Sequence, residues 1–204
     1  MDTPFLLTGV YMKKHVIIMN GPPSSGKDTA ADIIEQKYSA THLRFKTKIY
    51  QLVSLIYNLD LDTFIDIATD VEKKEKVVLA DGKTARELLI YVSEQCIKPA
   101  YGKEYFGIDV GDKIKKTDNK YFVISDSGFV DELRAMIKSA EFTGDNITII
   151  RLFKDGCNFD NDSRDYIPTE VMESLNIAYH DIYNDSTIDA FSDVVCNIVD
   201  NLNL

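Results

Sequence analysis

Short apolar runs alternate along the chain with longer segments whose apolar positions recur every three or four residues. The runs fall at 15–19 (HVIIM), 41–45, 121–125 (YFVIS), 147–153 (ITIIRLF) and 180–183 (HDIY). Runs of this length suit strands buried on both faces of a parallel sheet. The periodic segments carry Ala30, Ile33 and Ile34 with Tyr38 near the end, then Ile49, Leu52, Val53 and Ile56, then Leu88, Leu89, Val92 and Cys96. Two more follow: Leu133, Met136, Ile137 and Ala140, and Ile188, Phe191, Val195, Ile198 and Leu202. Each spacing predicts a helix with one apolar stripe. Thr84 and Glu87 form a capping box that starts a helix near residue 85, and Ser186 and Asp189 are expected to cap the last helix. Strands alternating with helices predict an α/β domain with a five-stranded parallel sheet. Right-handed crossovers then place ligands at the carboxyl edge of the strands.

Size and charge narrow the picture. The 204 residues suit one domain, and no repeat or low-complexity tract is visible. With 23 Lys+Arg against 33 Asp+Glu, the net charge is −10, which argues against a protein that wraps a nucleic acid polymer. An anionic small substrate needs a concentrated pocket of cations, drawn from Arg44, Arg86, Arg134, Arg151, Arg164 and selected lysines. The charged stretches 72–76 (EKKEK) and 113–120 (KIKKTDNK) read as solvated helix surfaces. Cys96, Cys157 and Cys196 lie far apart with no CxxC pair, which fits a reducing compartment and excludes a disulfide framework or a thiolate zinc site. No apolar run approaches the roughly 20 residues of a membrane span. At the N-terminus (MDTPFLLTGVYMKK) the lysines follow the apolar patch, the wrong order for a secretory signal, so the cytoplasm is the expected location. His15, His42 and His180 fall near strand beginnings and are expected to be structural.

The segment between the first strand and first helix carries the sharpest chemistry. Residues 21–29 (GPPSSGKDT) match G-x-x-x-x-G-K in the strand–loop–helix context that motif requires. Backbone N–H groups in such a loop curl into an anion nest, and the helix N-terminus adds partial positive charge. Gly21, Ser24, Ser25, Gly26, Lys27, Asp28 and Thr29 are therefore candidate nucleotide contacts, with Lys27 bridging phosphates and Thr29 reaching the α-phosphate. The usual Ser or Thr after the lysine, a Mg²⁺ ligand, is replaced by Asp28. Asp28 either holds Mg²⁺, directly or through water, or simply favours the helix start as an acid. Asp126 closes the VISD strand where a metal-holding acid sits in such folds, or else caps the next helix.

The blocks GPPSSGKDTAADII, GKTARELLIY, VISDSGFVDELRAM and IYNDST together resemble the phage-type deoxynucleoside monophosphate kinases, over about residues 15–200. The GKDT variant is common in that family. The resemblance implies a three-layer P-loop NTPase fold with a monophosphate-binding insertion at 46–118 and a lid at 154–168. It implies transfer of the γ-phosphoryl group of ATP, with Mg²⁺, to a deoxynucleoside monophosphate, and hence a phage enzyme working in the host cytoplasm as a monomer or homodimer. Lys27, Arg86, Asp126 and Arg164 are the implied catalytic set. Arg44 and Arg86 would face the acceptor phosphate, with Tyr91, Glu94 and Gln95 as candidates for base selection. Arg151 either reaches the nucleotide or forms a salt bridge. Two departures stand out. The family's D-x-R appears as Asp126-Ser127-Gly128, and its F-A-D-x-L-K appears as Phe45-Lys46-Thr47-Lys48-Ile49-Tyr50, where Lys46 or Lys48 can supply the cation. The rival readings are a P-loop kinase of another small acceptor, such as a ribonucleoside monophosphate, and a nucleotide-binding module that does not catalyse.

Overall fold

The computed structural model describes residues 13–70, 72–160 and 162–202. All but the last two residues of the N-terminal stretch read above, MDTPFLLTGVYMKK, lie outside them. The chain runs β1 (His15–Asn20), α1 (Lys27–Tyr38), β2 (Thr41–Leu43), α2 (Thr47–Tyr57), α3 (Leu61–Thr69) and α4 (Lys73–Lys76). A hairpin follows, β3 (Val78–Ala80) with β4 (Lys83–Thr84), then α5 (Ala85–Ile90), a π-helical stretch (Tyr91–Ile97), α6 (Lys98–Tyr101) and α7 (Tyr105–Lys116). The remainder is β5 (Tyr121–Ser127), α8 (Val130–Ser139), β6 (Ile147–Phe153), α9 (Thr169–Ser174), β7 (Ala178–Tyr183) and α10 (Ile188–Asp200).

Five strands form one parallel sheet in the order β2-β5-β1-β6-β7. Alternate residues of each strand feed opposite faces, as the pleat requires. Val16, Ile18, Phe122, Ile124, Ile147 and Ile149 pack under α2, α3, α5, α7 and α8. Ile17, Met19, Val123, Ile150 and Leu152 pack against α1 and α10. The result is three layers, and β1 at the centre of the sheet sends its carboxyl end into the glycine-rich loop. Helices α7 and α8 approach closely because Gly107 and Gly111 face the second helix; a Cβ at Gly107 would sit 2.2 Å from the Glu132 carbonyl oxygen.

Local details differ from the sequence reading where tertiary contacts intervene. The second strand stops at Leu43, so Arg44 and Phe45 leave the sheet. Ile56 and Ile188 are exposed, because α2 and α10 rotate Tyr50 and Cys196 inward instead. The cap of α10 is Thr187, whose hydroxyl accepts from the Ala190 amide, rather than Ser186. The capping box at Thr84 and Glu87 forms as expected. Helix α4, within the EKKEK run, buries no side chain. Among the described residues, no helix is long and apolar enough to cross a membrane.

One irregularity sets up the site. Ile18 pairs with Ile124, but Asn20 pairs with Ser127, so β5 carries one extra residue at its carboxyl end. Such a bulge re-aims the side chains beside it. Here it sends the buried Ser125 hydroxyl toward Asp28 and His42 and the buried Asp126 carboxylate toward the amides of Phe45 and Lys46.

Candidate active site

The loop after β1 turns through two left-handed residues, Ser24 at φ 64° and Gly26 at φ 104°. Glycine suits the second position on two grounds: it tolerates this backbone, and a Cβ there would lie 2.5 Å from Asn184 Nδ2. Asn184, from the IYNDST block, donates to the Ser25 carbonyl (2.9 Å) and ties the loop to the end of β7. Gly26 offers α1 no side-chain cap, so the amides of the helix's first turn stay available to an anion. The Ser25 hydroxyl is buried without a partner, while Ser24 and Thr29 are exposed at the loop surface.

Lys27 is buried, and its ammonium folds back to donate to the Pro22 carbonyl of the same loop. Burial lowers its pKa to about 8, with the positive charges of Arg164 and Lys46 acting in the same direction. A cation held this way gains when an anion arrives. Arg44 and Lys46 reach Asp28 from the turn after β2. Arg44 Nη2 donates to Asp28 Oδ1 at 3.3 Å, and Ser125 Oγ donates to the same oxygen at 2.9 Å. Partial burial opposes ionisation of Asp28, but Ser125, Lys46 and Arg44 outweigh it and lower its pKa. Its Oδ2 takes part in neither bond.

Asp126 acts on the main chain. Its two oxygens accept the amides of Phe45 (2.9 Å) and Lys46 (3.0 Å), fixing the turn that presents Arg44 and Lys46. Arg164 forms a fork with Asp162 (Nε 2.9 Å, Nη2 2.6 Å). Its stem lies over Gly128, where an added Cβ would meet Arg164 Cβ at 2.4 Å. The position at which the resembling family carries an arginine is thus a glycine seat for an arginine from another loop. Asn20, fully buried, anchors that loop. Its Nδ2 donates to the Ser127 and Asp165 carbonyls (3.2 and 3.1 Å), and its Oδ1 accepts the Ile167 amide (2.8 Å). Part of the expected lid, around residues 165–167, is thereby stitched to the sheet. Arg86 sits in the first turn of α5 as expected, donates to Glu75 (3.1 Å) and helps hold the Asp162 carboxyl in its charged form.

Other expected contacts lie elsewhere. Arg151 is held by Asp181 through two bonds (2.7 and 2.8 Å) and stacks on Tyr179, which is the salt-bridge alternative. Tyr91, Glu94 and Gln95 are exposed on the π-helical stretch, and Glu94 pairs with Lys98. Sequence reasoning missed Asn20, Asn184, Asp162 and Glu132. Glu132 is buried on α8, and burial together with the Asp126 charge pushes its pKa up to about 8. A charged residue on the apolar face of the predicted α8 stripe was the available signal. His42 lies nearer the loop than its place in β2 suggests: its Nε2 is 2.9 Å from Ser125 Oγ, which donates to Asp28.

Beside Pro22 a cavity of about 380 Å³ opens between the glycine-rich loop, the ends of β6 and β7, and the 154–166 loop. Phe153 stacks between Tyr166 (4.6 Å) and Tyr183 (5.2 Å), and Phe159 meets Tyr166 edge-on at 5.0 Å. A smaller cavity of about 140 Å³, lined by Ile17, Ile34 and Tyr38, lies under α1 and α10 away from the cationic cluster.

No protein-family model matches the chain, and no curated protein matches it. Among solved structures, it is similar to a sugar kinase from Janibacter sp. HTCC2649 in its unliganded form, at 9% identity and a TM-score of 0.48, covering 92% of this chain and 95% of the other. It is also similar to a gluconokinase from Sinorhizobium meliloti 1021, at 8% identity and a TM-score of 0.44, covering 94% and 97%.

Proposed function

We propose that the protein is an ATP-dependent kinase of a nucleoside monophosphate, with a deoxynucleoside monophosphate as the acceptor. The reading rests on one juxtaposition: the uncapped helix start and buried Lys27 at residues 21–29 lie within electrostatic reach of Arg164 and Lys46. A triphosphate in the loop and a monophosphate beside Arg44, Lys46 and Arg86 would meet between those cations. The ring stack of Phe153, Tyr166 and Tyr183 offers the donor base a flat surface beside the loop.

The acceptor is a phosphate oxygen that is largely anionic near neutral pH, since its second pKa is about 6. Deprotonation by a side chain is unnecessary. Alignment and charge neutralisation then supply the catalysis. Lys27 would leave Pro22 for the phosphates, and Arg164, steadied by Asp162 and Gly128, would face the transferring group. Asp28 fits a Mg²⁺ role, because it is ionised, exposed and has one oxygen outside its hydrogen bonds. The ion would supply charge neutralisation on the phosphate oxygens. Asp126 supports the site by holding the 45–46 turn.

The test is coupled ADP release with a panel of deoxy- and ribonucleoside monophosphates and with gluconate as a sugar-acid control. Turnover that depends on a deoxynucleoside monophosphate is expected. ATP binding without acceptor-dependent turnover, or turnover with another acceptor class, would refute the reading.

A further inference from the structure

A second polar cluster lies on the far side of Ser125 from the sheet core. Asp32 and Glu35 stand three residues apart on the exposed face of α1, and β2 aims His42 at them. His42 Nδ1 is 3.8 Å from Asp32 Oδ1 and 3.6 Å from Glu35 Oε2. Among the described residues this is the one group of three or more His, Cys, Asp or Glu side chains whose ligand atoms converge within 4.8 Å. The two acids are about half exposed, whereas the imidazole is 6% exposed.

The hydrogen bonds behind the ring settle its tautomer. Ser125 has one hydroxyl proton, and the Asp28 carboxylate accepts it. The 2.9 Å contact between Ser125 Oγ and His42 Nε2 must then run from the ring, with Nε2–H donating. A neutral His42 therefore presents a bare lone pair at Nδ1. That lone pair faces two carboxylate oxygens at separations too long for hydrogen bonds. Three electron-rich atoms converge there within 4.8 Å of one another. Donation of the second ring N–H to a fixed acceptor is also how proteins orient a metal-binding imidazole. A proton on Nδ1 is the competing solution: burial and the Arg44 charge oppose it, whereas the Glu35, Asp32 and Asp28 carboxylates favour it.

We propose that Asp32, Glu35 and His42 bind a divalent transition-metal ion of the Zn²⁺ class, with water completing its shell. One imidazole and two carboxylates suit such an ion, whereas Mg²⁺ favours oxygen ligands alone. The site is separate from the nucleotide side of Asp28 but joined to it through His42, Ser125 and Asp28. An ion at Nδ1 makes Nε2–H a stronger donor and stiffens this chain behind the phosphate loop.

The test is a calorimetric titration of chelator-stripped full-length protein with ZnCl₂, in the absence of nucleotide, alongside ring ¹⁵N spectra of His42. Because no nucleotide is present, the outcome is independent of the transfer reaction. One equivalent of Zn²⁺ should bind and shift the His42 Nδ1 signal. The double variant Asp32→Asn, Glu35→Gln alters only exposed positions, and its affinity should fall at least about tenfold. A Cys96→Ser, Cys157→Ser variant should bind as the wild type does. Absence of one-to-one binding at millimolar Zn²⁺, equal affinity in the carboxylate variant, loss in the cysteine variant, or equal competition by Mg²⁺ would each overturn the assignment.

Discussion

Replacing Lys27 by methionine should stabilise the nucleotide-free protein while abolishing its response to ATP. Lys27 is 7% exposed, and burial, helped by Arg164, lowers its pKa from 10.5 to about 8. At 1.36 kcal/mol per pH unit, that difference corresponds to about 3 kcal/mol of destabilisation when the amine is charged in both folded and unfolded chains. The full cost applies below about pH 8. Between there and 10.5 the folded chain releases its proton while the unfolded chain keeps it, so stability rises with pH. Methionine keeps most of the volume and removes the charge, but forfeits the bond to Pro22, worth about 1 kcal/mol. The net gain near neutral pH is about 2 kcal/mol, or a rise in Tm of roughly 4–8 °C for a chain of this size. Scanning calorimetry of both proteins at neutral pH and near pH 10 measures the gap and its expected closure. ATP should raise Tm in the wild type alone. A Lys27→Met protein with an intact circular dichroism spectrum that melts no higher than the wild type at neutral pH would refute the reasoning.

Three other substitutions probe the surroundings. Asn20→Ala strands two buried carbonyls and one amide, so stability should fall by about 2–4 kcal/mol in denaturant titrations, with faster hydrogen exchange concentrated at residues 162–167. Gly128→Ala drives a methyl into the Arg164 stem; kcat should fall by roughly tenfold or more, while ATP binding, measured by calorimetry, stays within about threefold of the wild type. Glu132→Gln removes a carboxyl whose pKa burial and Asp126 raise from 4.5 to about 8. The wild type loses stability as pH rises through that window, because its unfolded form ionises first, so the variant's Tm advantage should grow from pH 4.5 to about 8 and then level off. A constant difference across the window would contradict the assigned environment.

Local chemistry made much of this protein legible from its residues alone. Five short runs and their intervening stripes implied the layered sheet; the three central strands are buried almost throughout, whereas the edge strands β2 and β7 keep exposed or half-exposed positions. The turn of the glycine-rich loop was equally plain, since its glycines and Lys27 lie within a span of nine residues, and Thr84 and Glu87 meet three residues apart. What required the folded chain was every relation between distant segments. The bulge in β5 sends Asp126 to the amides of the 45–46 turn, and no spacing in the sequence encodes that partner. Gly128 reads as a lost arginine until Arg164 is seen lying across it. His42, expected from its place near a strand beginning to be structural, owes its tautomer to a serine 83 residues away. Secondary structure follows from periodicity along the chain, whereas side-chain charge and protonation answer to whatever packing brings within a few ångströms.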